Sequence, residues 1–226
     1  MTPAGPGAGA RARPTRNAAR AQARGERTRA AIIDETVRCI EEEGFAAASA
    51  SHIAERAGVT WGVIQYHFGD RPGLLAAVVA DSYERFRRAI EGVPVPEVGS
   101  HRRVESVVEA AWAAFSTPES LASLEVLVAT RADRGGADRA ELEAMGRGMR
   151  RLGAALVGDG SDGDVRAAVV GEVLWATLRG LAMTQMLSAG PIDTTRERQV
   201  LVELIRAYLD GTLPLGPGRV TSPDGP

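Results

Sequence analysis

Residues 49–68 contain two helical stretches that are too short to be stable by themselves. The apolar pattern places one helix at 50–57 and a second at 61–67, with Gly58 between them in a position that suits the positive φ of a tight turn. Short helices need tertiary contacts. Their apolar residues are spaced to share one core: Ile53, Ala54, Ala57, Val59, Ile64 and Phe68. The stretch therefore predicts a compact three-helix unit, completed by a preceding helix at 26–43.

The rest of the chain also has a helical period. Alternation of β-branched residues is absent, Ala is abundant, and the breaks coincide with Gly, Pro or N-capping residues such as Ser49, Thr60 and Asp70. We predict an all-α fold. The predicted helices are 26–43, 50–57, 61–67, one that starts after Asp70, 100–116, 118–131, 137–157, 164–188 and 194–209.

Composition divides the chain into four segments. Residues 1–24 are rich in Ala, Gly, Pro and Arg, and we predict that they and residues 212–226 are disordered tails. Residues 25–92 form a predicted helix-turn-helix domain. Residues 93–211 form a larger all-α domain, which begins with the stiff linker Val93-Pro94-Val95-Pro96.

Charge is unevenly distributed along the chain. The formal net charge is −2, yet residues 1–90 carry 13 Arg against 10 acidic residues. The five Arg from Arg11 to Arg24 have no acidic residue among them. An arginine-rich N-terminal segment of this kind can bind a polyanion such as nucleic acid.

Several classes of protein are disfavoured by what the sequence lacks. No apolar run reaches the roughly 20 residues of a membrane span and no secretion signal is present, so we expect a soluble, cytoplasmic protein without a membrane partner.

The sequence also gives no sign of a metal or catalytic site. Cys39 is the single cysteine, and we expect it to be a buried helical thiol that forms neither a disulfide nor a metal site. His52, His67 and His101 are not at metal-ligand spacing, so no metal, cofactor or catalytic residue is expected. The acidic run 41–43 is interpreted as a solvated face.

The helix at 61–67 presents an outer face that the core does not need. Aromatic and amide side chains on so short a helix suit the groove edges and phosphates of DNA. The residues of this face are Trp61, Gly62, Val63, Gln65, Tyr66 and, at the tip, His67.

This part of the chain resembles the TetR family of repressors. The residues that carry the resemblance, between about 27 and 79, are Gly44-Phe45, Ile53-Ala54, Ala57-Gly58-Val59-Thr60, Gly62, Ile64, Tyr66-His67-Phe68 and Leu74-Leu75. The resemblance implies a DNA-reading N-terminal domain, an all-α effector-binding domain and dimerisation through the last two long helices. Trp61, Gln65, Arg71 and Pro72 depart from the family's commonest residues, so the operator sequences of relatives are not transferred.

The predicted DNA contacts divide into base and backbone contacts. Trp61, Val63 and Gln65 are predicted at base edges, where a Gln side chain can pair with adenine N6 and N7. An ordinary solvated position is the alternative for Gln65, and a helix cap is the alternative for His67. Contacts to phosphates or to the adjoining backbone are predicted for Ser49, Ser51, His52, Thr60, Tyr66, His67 and Arg71.

The larger domain gives less specific signals. We expect this domain to bind a small, mostly apolar effector, and the alternative is that the residues concerned are plain core. The predicted effector-binding residues are Trp112, Phe115, Leu124, Val128, Arg131, Met145, Met149, Trp175 and Arg179. Further candidates are Leu121, Leu127, Leu178, Met183, Glu125 and Gln185. Residues 165–187 and 200–209 are apolar around much of their circumference, which favours a homodimer. Two-fold symmetry would place the two copies of the helix at 61–67, called the reading helices, about 34 to 36 Å apart on a palindromic operator.

The sequence therefore favours a DNA-binding regulator, with double-stranded DNA as a partner and with repression released by an effector. Two alternatives stay open. One is a DNA-binding adaptor whose larger domain binds a protein. The other is an all-α enzyme or carrier, which no motif in the sequence supports.

Overall fold

The computed structural model describes residues 16–92, 96, 102–132, 136–157, 165–188 and 190–213. Within these ranges every regular element is helical, which confirms the all-α fold. A short 3-10 helix, Phe45–Ala47, follows the first α-helix. The α-helices are α1 (Arg16–Glu43), α2 (Ala50–Arg56), α3 (Trp61–Phe68), α4 (Arg71–Glu91), α5 (Arg102–Phe115), α6 (Pro118–Ala129), α7 (Gly136–Val157), α8 (Val165–Leu187) and α9 (Thr195–Leu209).

Helix α1 begins ten residues before its predicted start. The prediction of a disordered tail is therefore wrong for residues 16–24, which are helical, whereas residues 1–15 and 214–226 lie outside the described part of the chain. Ala and Arg have high helix propensity, and a helix already anchored in a core can extend through them without further burial. The Gln22 side chain also donates a hydrogen bond of 2.9 Å to Glu26, one turn further on.

Two apolar cores share residues of α4 and α6, and Leu142 of α7 packs against both cores. The smaller core joins α1, α2, α3 and the first half of α4, and it also receives Ala122, Val126 and Leu127 from α6. The larger core joins α5, α7, α8 and α9, and it also receives Phe86 from α4 and Leu124 from α6. Helices α4 and α6 therefore couple the two parts of the molecule mechanically. The predicted linker at 93–95 lies outside the described residues.

Local capping chemistry explains the starts of several helices. The Ser49 hydroxyl accepts a hydrogen bond from the His52 N–H, and the Asp70 carboxylate accepts one from the Gly73 N–H. Both caps confirm the prediction. Thr60 occupies the N-cap position of α3, but its side chain makes no capping hydrogen bond, so the predicted hydroxyl cap is wrong.

A search of the described helices finds none whose length and apolar content would let it cross a lipid bilayer.

Candidate DNA-binding surface

Helix α3 is held in place by its inner side. Ile64 is completely buried and lies in one core with Ile53 of α2 and the partly buried Phe68. The turn between α2 and α3 has Gly58 at φ +64°, and the Val59 N–H donates a hydrogen bond of 2.9 Å to the Ala54 carbonyl. An eight-residue helix is thus fixed by one buried side chain, its neighbours and a tight turn.

The outer side of α3 is largely exposed to solvent. Trp61 is 44% exposed and Tyr66 is 84% exposed, although a buried position is the usual one for large aromatic side chains. Gln65 and Gly62 are also exposed. These four residues match the predicted face. Val63 does not match it fully, because it is half-buried and packs against the smaller core.

Thr60 and Gly62 leave open space at the start of α3. The Thr60 side chain is exposed and is not used as a cap, so its hydroxyl can serve an external acceptor or donor. A Cβ atom on Gly62 would meet only Thr60 Oγ1, at 3.8 Å. The fold itself therefore does not require a glycine there.

His67, at the end of α3, lies beside α1. A Cβ atom added to Gly25 would come within 3.9 Å of His67 Cε1, and the rings of Tyr66 and His67 meet edge to face at 5.0 Å. The Arg29 guanidinium lies 5.4 Å from the Phe68 ring centroid. The basic N-terminal part of α1 thus passes beside the end of α3.

Arg71 makes contacts inside the protein, and its phosphate contact stays a prediction. Its Nε donates to the Ala48 carbonyl at 2.7 Å and its Nη2 donates to the Phe45 carbonyl at 3.2 Å. The guanidinium also lies 4.7 Å from the Phe45 ring centroid. Arg71 therefore ties the start of α4 to the 3-10 helix and to the residue that follows it, through two backbone carbonyls.

Two polar residues of α2, His52 and Arg56, contact α1. Ser49 is used as a cap and Ser51 is exposed, while the His52 ring nitrogen Nε2 lies 2.9 Å from a Glu43 carboxylate oxygen. The predicted backbone contact of His52 thus competes with a hydrogen bond to Glu43 inside the protein.

Arg56 organises an acidic cluster that sequence reasoning missed. It donates hydrogen bonds to Glu35 and Glu42, both at 2.7 Å, and also to Glu43. Burial would raise the pKa of the Glu35 carboxyl, but hydrogen bonds from Arg56 and Arg38 outweigh it and the pKa is lowered. The interpretation of residues 41–43 as a merely solvated face is therefore wrong for Glu42 and Glu43.

Cys39 is completely buried beside this cluster. Burial raises the pKa of its thiol, and the Glu43 carboxylate raises it further. The neutral thiol is therefore the favoured form of Cys39 as long as no cation lies beside it.

The predicted effector residues lie partly in the packed core and partly at the surface, and their role as a ligand site stays a prediction. Phe115, Leu124, Met145, Met149 and Trp175 are buried in the larger core, and Trp112 packs against it. Phe115 and Trp175 stack edge to face at 5.0 Å, so they fill space that a ligand would need. Val128, Arg131 and Arg179 are exposed. These positions were predicted from helical spacing, which does not distinguish a pocket wall from a packed core.

A cavity of about 420 Å³ lies instead where the two cores meet. Its walls come from the end of α1, from α6, and from the end of α8 with the loop after it. The lining includes three of the further candidates, Leu121, Glu125 and Gln185, together with Ile40, Glu41 and Met186. Glu125 Oε1 also accepts a hydrogen bond of 2.8 Å from the Phe45 N–H. Glu125, in the wall of the cavity, is thus hydrogen-bonded directly to the 3-10 helix that follows α1.

Known proteins similar to this chain share its N-terminal helices. Residues 32–78 match the family model for bacterial regulatory proteins of the tetR family. The transcriptional regulator BetI of Escherichia coli is 35% identical over 79 residues, which cover 34% of this chain and 40% of BetI. The regulator SrpR of Pseudomonas putida is 32% identical over 114 residues, which cover 50% of this chain and 52% of SrpR. The chain thus spans about half the length, or less, of these curated relatives.

Solved structures are similar over most of the chain. A putative TetR-family transcriptional regulator from Mesorhizobium loti superposes with a TM-score of 0.62 at 18% identity, covering 84% of this chain and 96% of that one. The multidrug binding protein EbrR, in complex with imidazole, superposes with a TM-score of 0.58 at 23% identity, covering 80% and 90%. At these identities the likeness concerns the fold. Taken with the match over residues 32–78, the chain is similar to the tetR family of bacterial regulatory proteins in its N-terminal helices and to solved members of that family in its fold.

Proposed function

We propose that the protein is a DNA-binding transcriptional regulator that places α3 in the major groove. The observation that carries this proposal is the outer face of α3, where Trp61, Gln65 and Tyr66 are exposed on a helix fixed from behind by Ile64. A helix of this width fits the major groove, and its side chains can reach base edges there. We also propose that the protein acts in the cytoplasm, where bacterial DNA is located.

Within this proposal Gln65 and Trp61 contact bases. Thr60 and Tyr66 contact phosphates, because both side chains are exposed at opposite ends of α3. Gly62 lets the sugar-phosphate backbone approach closely. Val63 and Arg71 keep mainly structural roles.

The N-terminal part of α1 adds positive charge beside α3. Arg16, Arg20 and Arg24 are exposed and follow one another at four-residue intervals, so they form a stripe on one face of the helix. We propose that this stripe contacts phosphates flanking the sequence that α3 reads.

We further propose that two copies associate through α8 and α9. Large apolar side chains are exposed on both helices, among them Val200 at 55% and Leu204 at 49%. An apolar groove of about 200 Å³ between the helices is lined by Val169, Val173, Leu204 and Tyr208, with further apolar neighbours. A second copy would cover this surface, and a two-fold axis would make the operator palindromic.

The junction cavity is the proposed effector site. A small molecule bound between Ile40, Leu121 and Met186 would touch both cores, and Glu125 would pass a shift of α6 to Phe45 through its hydrogen bond. Binding that favours one arrangement of the two cores changes the spacing of the reading helices and releases the operator. The likeness to EbrR, described as a multidrug binding protein, supports a small-molecule effector.

Selection from random double-stranded DNA tests the main proposal. The purified full-length protein is expected to enrich a palindrome with half-sites one helical turn apart, and footprinting should place the site near a promoter. Enrichment of no sequence would contradict it.

A second experiment separates a metabolite sensor from an adaptor. Mass spectrometry of molecules that co-purify with the protein, followed by thermal unfolding with the identified compounds, should show stabilisation by a small molecule. The matched variants Glu125→Gln and Glu125→Ala then test the coupling, since Gln keeps an acceptor for the Phe45 N–H and Ala does not. Stabilisation only by a protein would favour an adaptor, and turnover without DNA binding would favour an enzyme or carrier.

A further inference from the structure

Cys39, Glu43 and His52 come together where the end of α1 meets the start of α2. Cys39 and Glu43 are one turn apart on α1, and His52 lies in the first turn of α2. One ligand atom of each residue, namely the Cys39 Sγ, a Glu43 carboxylate oxygen and a His52 ring nitrogen, lies within 4.8 Å of the other two. Thiolate, carboxylate and imidazole are the side-chain groups that bind Zn²⁺ in proteins.

The three atoms are close to the spacing of a coordination sphere. Bonds of about 2.0 to 2.3 Å to a tetrahedral Zn²⁺ place two ligand atoms roughly 3.3 to 3.8 Å apart. The His52 and Glu43 side chains are 36% and 37% exposed, so they can turn toward an ion that enters from solvent. Cys39 is buried and forms the floor of the site. Small side-chain rotations, without a change of backbone, would complete it.

The charge around the site favours a cation. Three carboxylates, those of Glu35, Glu42 and Glu43, face two guanidinium groups, those of Arg38 and Arg56. An ion at Glu43 would replace the contact between Glu43 and Arg56. Arg56 would keep its hydrogen bonds of 2.7 Å to Glu35 and Glu42, so the guanidinium would still have two carboxylate partners.

We propose that Cys39, Glu43 and His52 bind a thiophilic divalent cation of the Zn²⁺ class, with water as the fourth ligand. The thiolate and imidazole select such an ion over Mg²⁺ or Ca²⁺, which prefer oxygen ligands. The sequence analysis predicted no metal site, because Cys39 is the single cysteine and the three histidines are not at metal-ligand spacing. The bound ion would link α1 to α2, the helix that supports α3, and would stabilise the folded domain.

Cobalt titration of the full-length protein, first freed of metal with a chelator, tests the proposal. Co²⁺ is expected to bind once per chain, to give a near-ultraviolet thiolate-to-cobalt charge-transfer band, and to be displaced by Zn²⁺ but not by excess Mg²⁺. The Cys39→Ala variant should lose the band. Loss of an outer-shell partner already weakens metal binding by about 10- to 100-fold, so His52→Gln and Glu43→Gln should weaken it at least as much.

Glu55→Gln is the matched control, because Glu55 is an exposed acid of α2 outside the cluster. This variant should bind Co²⁺ as the wild type does. Circular dichroism checks the fold of Cys39→Ala; if that variant unfolds, the two variants at half-exposed positions decide the question. Absence of the charge-transfer band in the wild type, or affinities unchanged in His52→Gln and Glu43→Gln, would overturn the proposal and leave the cluster as an ion-pair network.

Discussion

The two parts of the molecule expose different kinds of apolar side chain. On α3 the exposed groups are Trp61 and Tyr66, aromatic rings that carry a polar N–H or O–H. On α8 and α9 they are aliphatic, as in Val173, Val200 and Leu204. Rings with a polar edge tolerate a wet, charged partner such as DNA, whereas aliphatic groups gain free energy only against another dry surface. One exposed surface therefore suits nucleic acid and the other suits protein.

The largest expected effect comes from a charge in the aliphatic surface. Leu204→Glu should prevent dimerisation, because burying an unpaired carboxylate costs about 3 to 5 kcal/mol for each charge, and two-fold symmetry brings in two. Analytical ultracentrifugation should then find a monomer with weakened operator binding. Val128→Glu, at an exposed aliphatic position of α6, is the control and should not change the oligomeric state. Equal effects of the two variants would remove the argument for an interface on α9.

The inner side of α3 should matter for stability more than its outer side. Ile64→Ala removes a completely buried side chain and should lower the free energy of unfolding by about 2 to 5 kcal/mol. Its neighbour Gln65 is exposed, and Gln65→Ala should leave unfolding within about 0.5 kcal/mol of wild type. Urea denaturation measures both. A similar loss in the two variants would show that α3 packs differently.

On the outer side the expected effect is on sequence preference. Gln65→Ala should weaken specific binding by about 1 to 3 kcal/mol and relax the preference at one base pair in each half-site. Binding to the selected site and to sites with single substitutions, compared by fluorescence anisotropy, measures this. A uniform loss across all sequences would instead assign Gln65 to the DNA backbone.

The smallest effect should come from the arginine stripe on α1. Replacing Arg20 and Arg24 with Ala should reduce the dependence of log K on log salt by about 0.9 for each phosphate that the variant no longer neutralises. The sequence preference should not change, because phosphate contacts carry no base information. Titrations at several salt concentrations measure the slope, and an altered preference would indicate that this part of α1 enters a groove.

Sequence reasoning worked best where local chemistry decides the structure. The N-caps Ser49 and Asp70, the positive φ of Gly58 and the burial of Ile53 and Ile64 all confirm predictions from spacing. It was less accurate for individual side chains. Arg71 binds the carbonyls of Phe45 and Ala48, which are 26 and 23 residues away in the chain, and Val63 packs partly inward. Contacts between residues so far apart lie outside any local pattern.

Local sequence was enough to establish that the chain is all-α, that residues 49–68 form a helix-turn-helix and that Trp61, Gln65 and Tyr66 face outward. These properties follow from periodicity and turn chemistry, which act over a few residues. The packed structure was needed to show that Phe115 and Trp175 fill a core, that the cavity lies at the junction of the two cores, and that Cys39, Glu43 and His52 meet. Each of these depends on how separate helices pack, and helix packing is set by the shapes of many side chains at once.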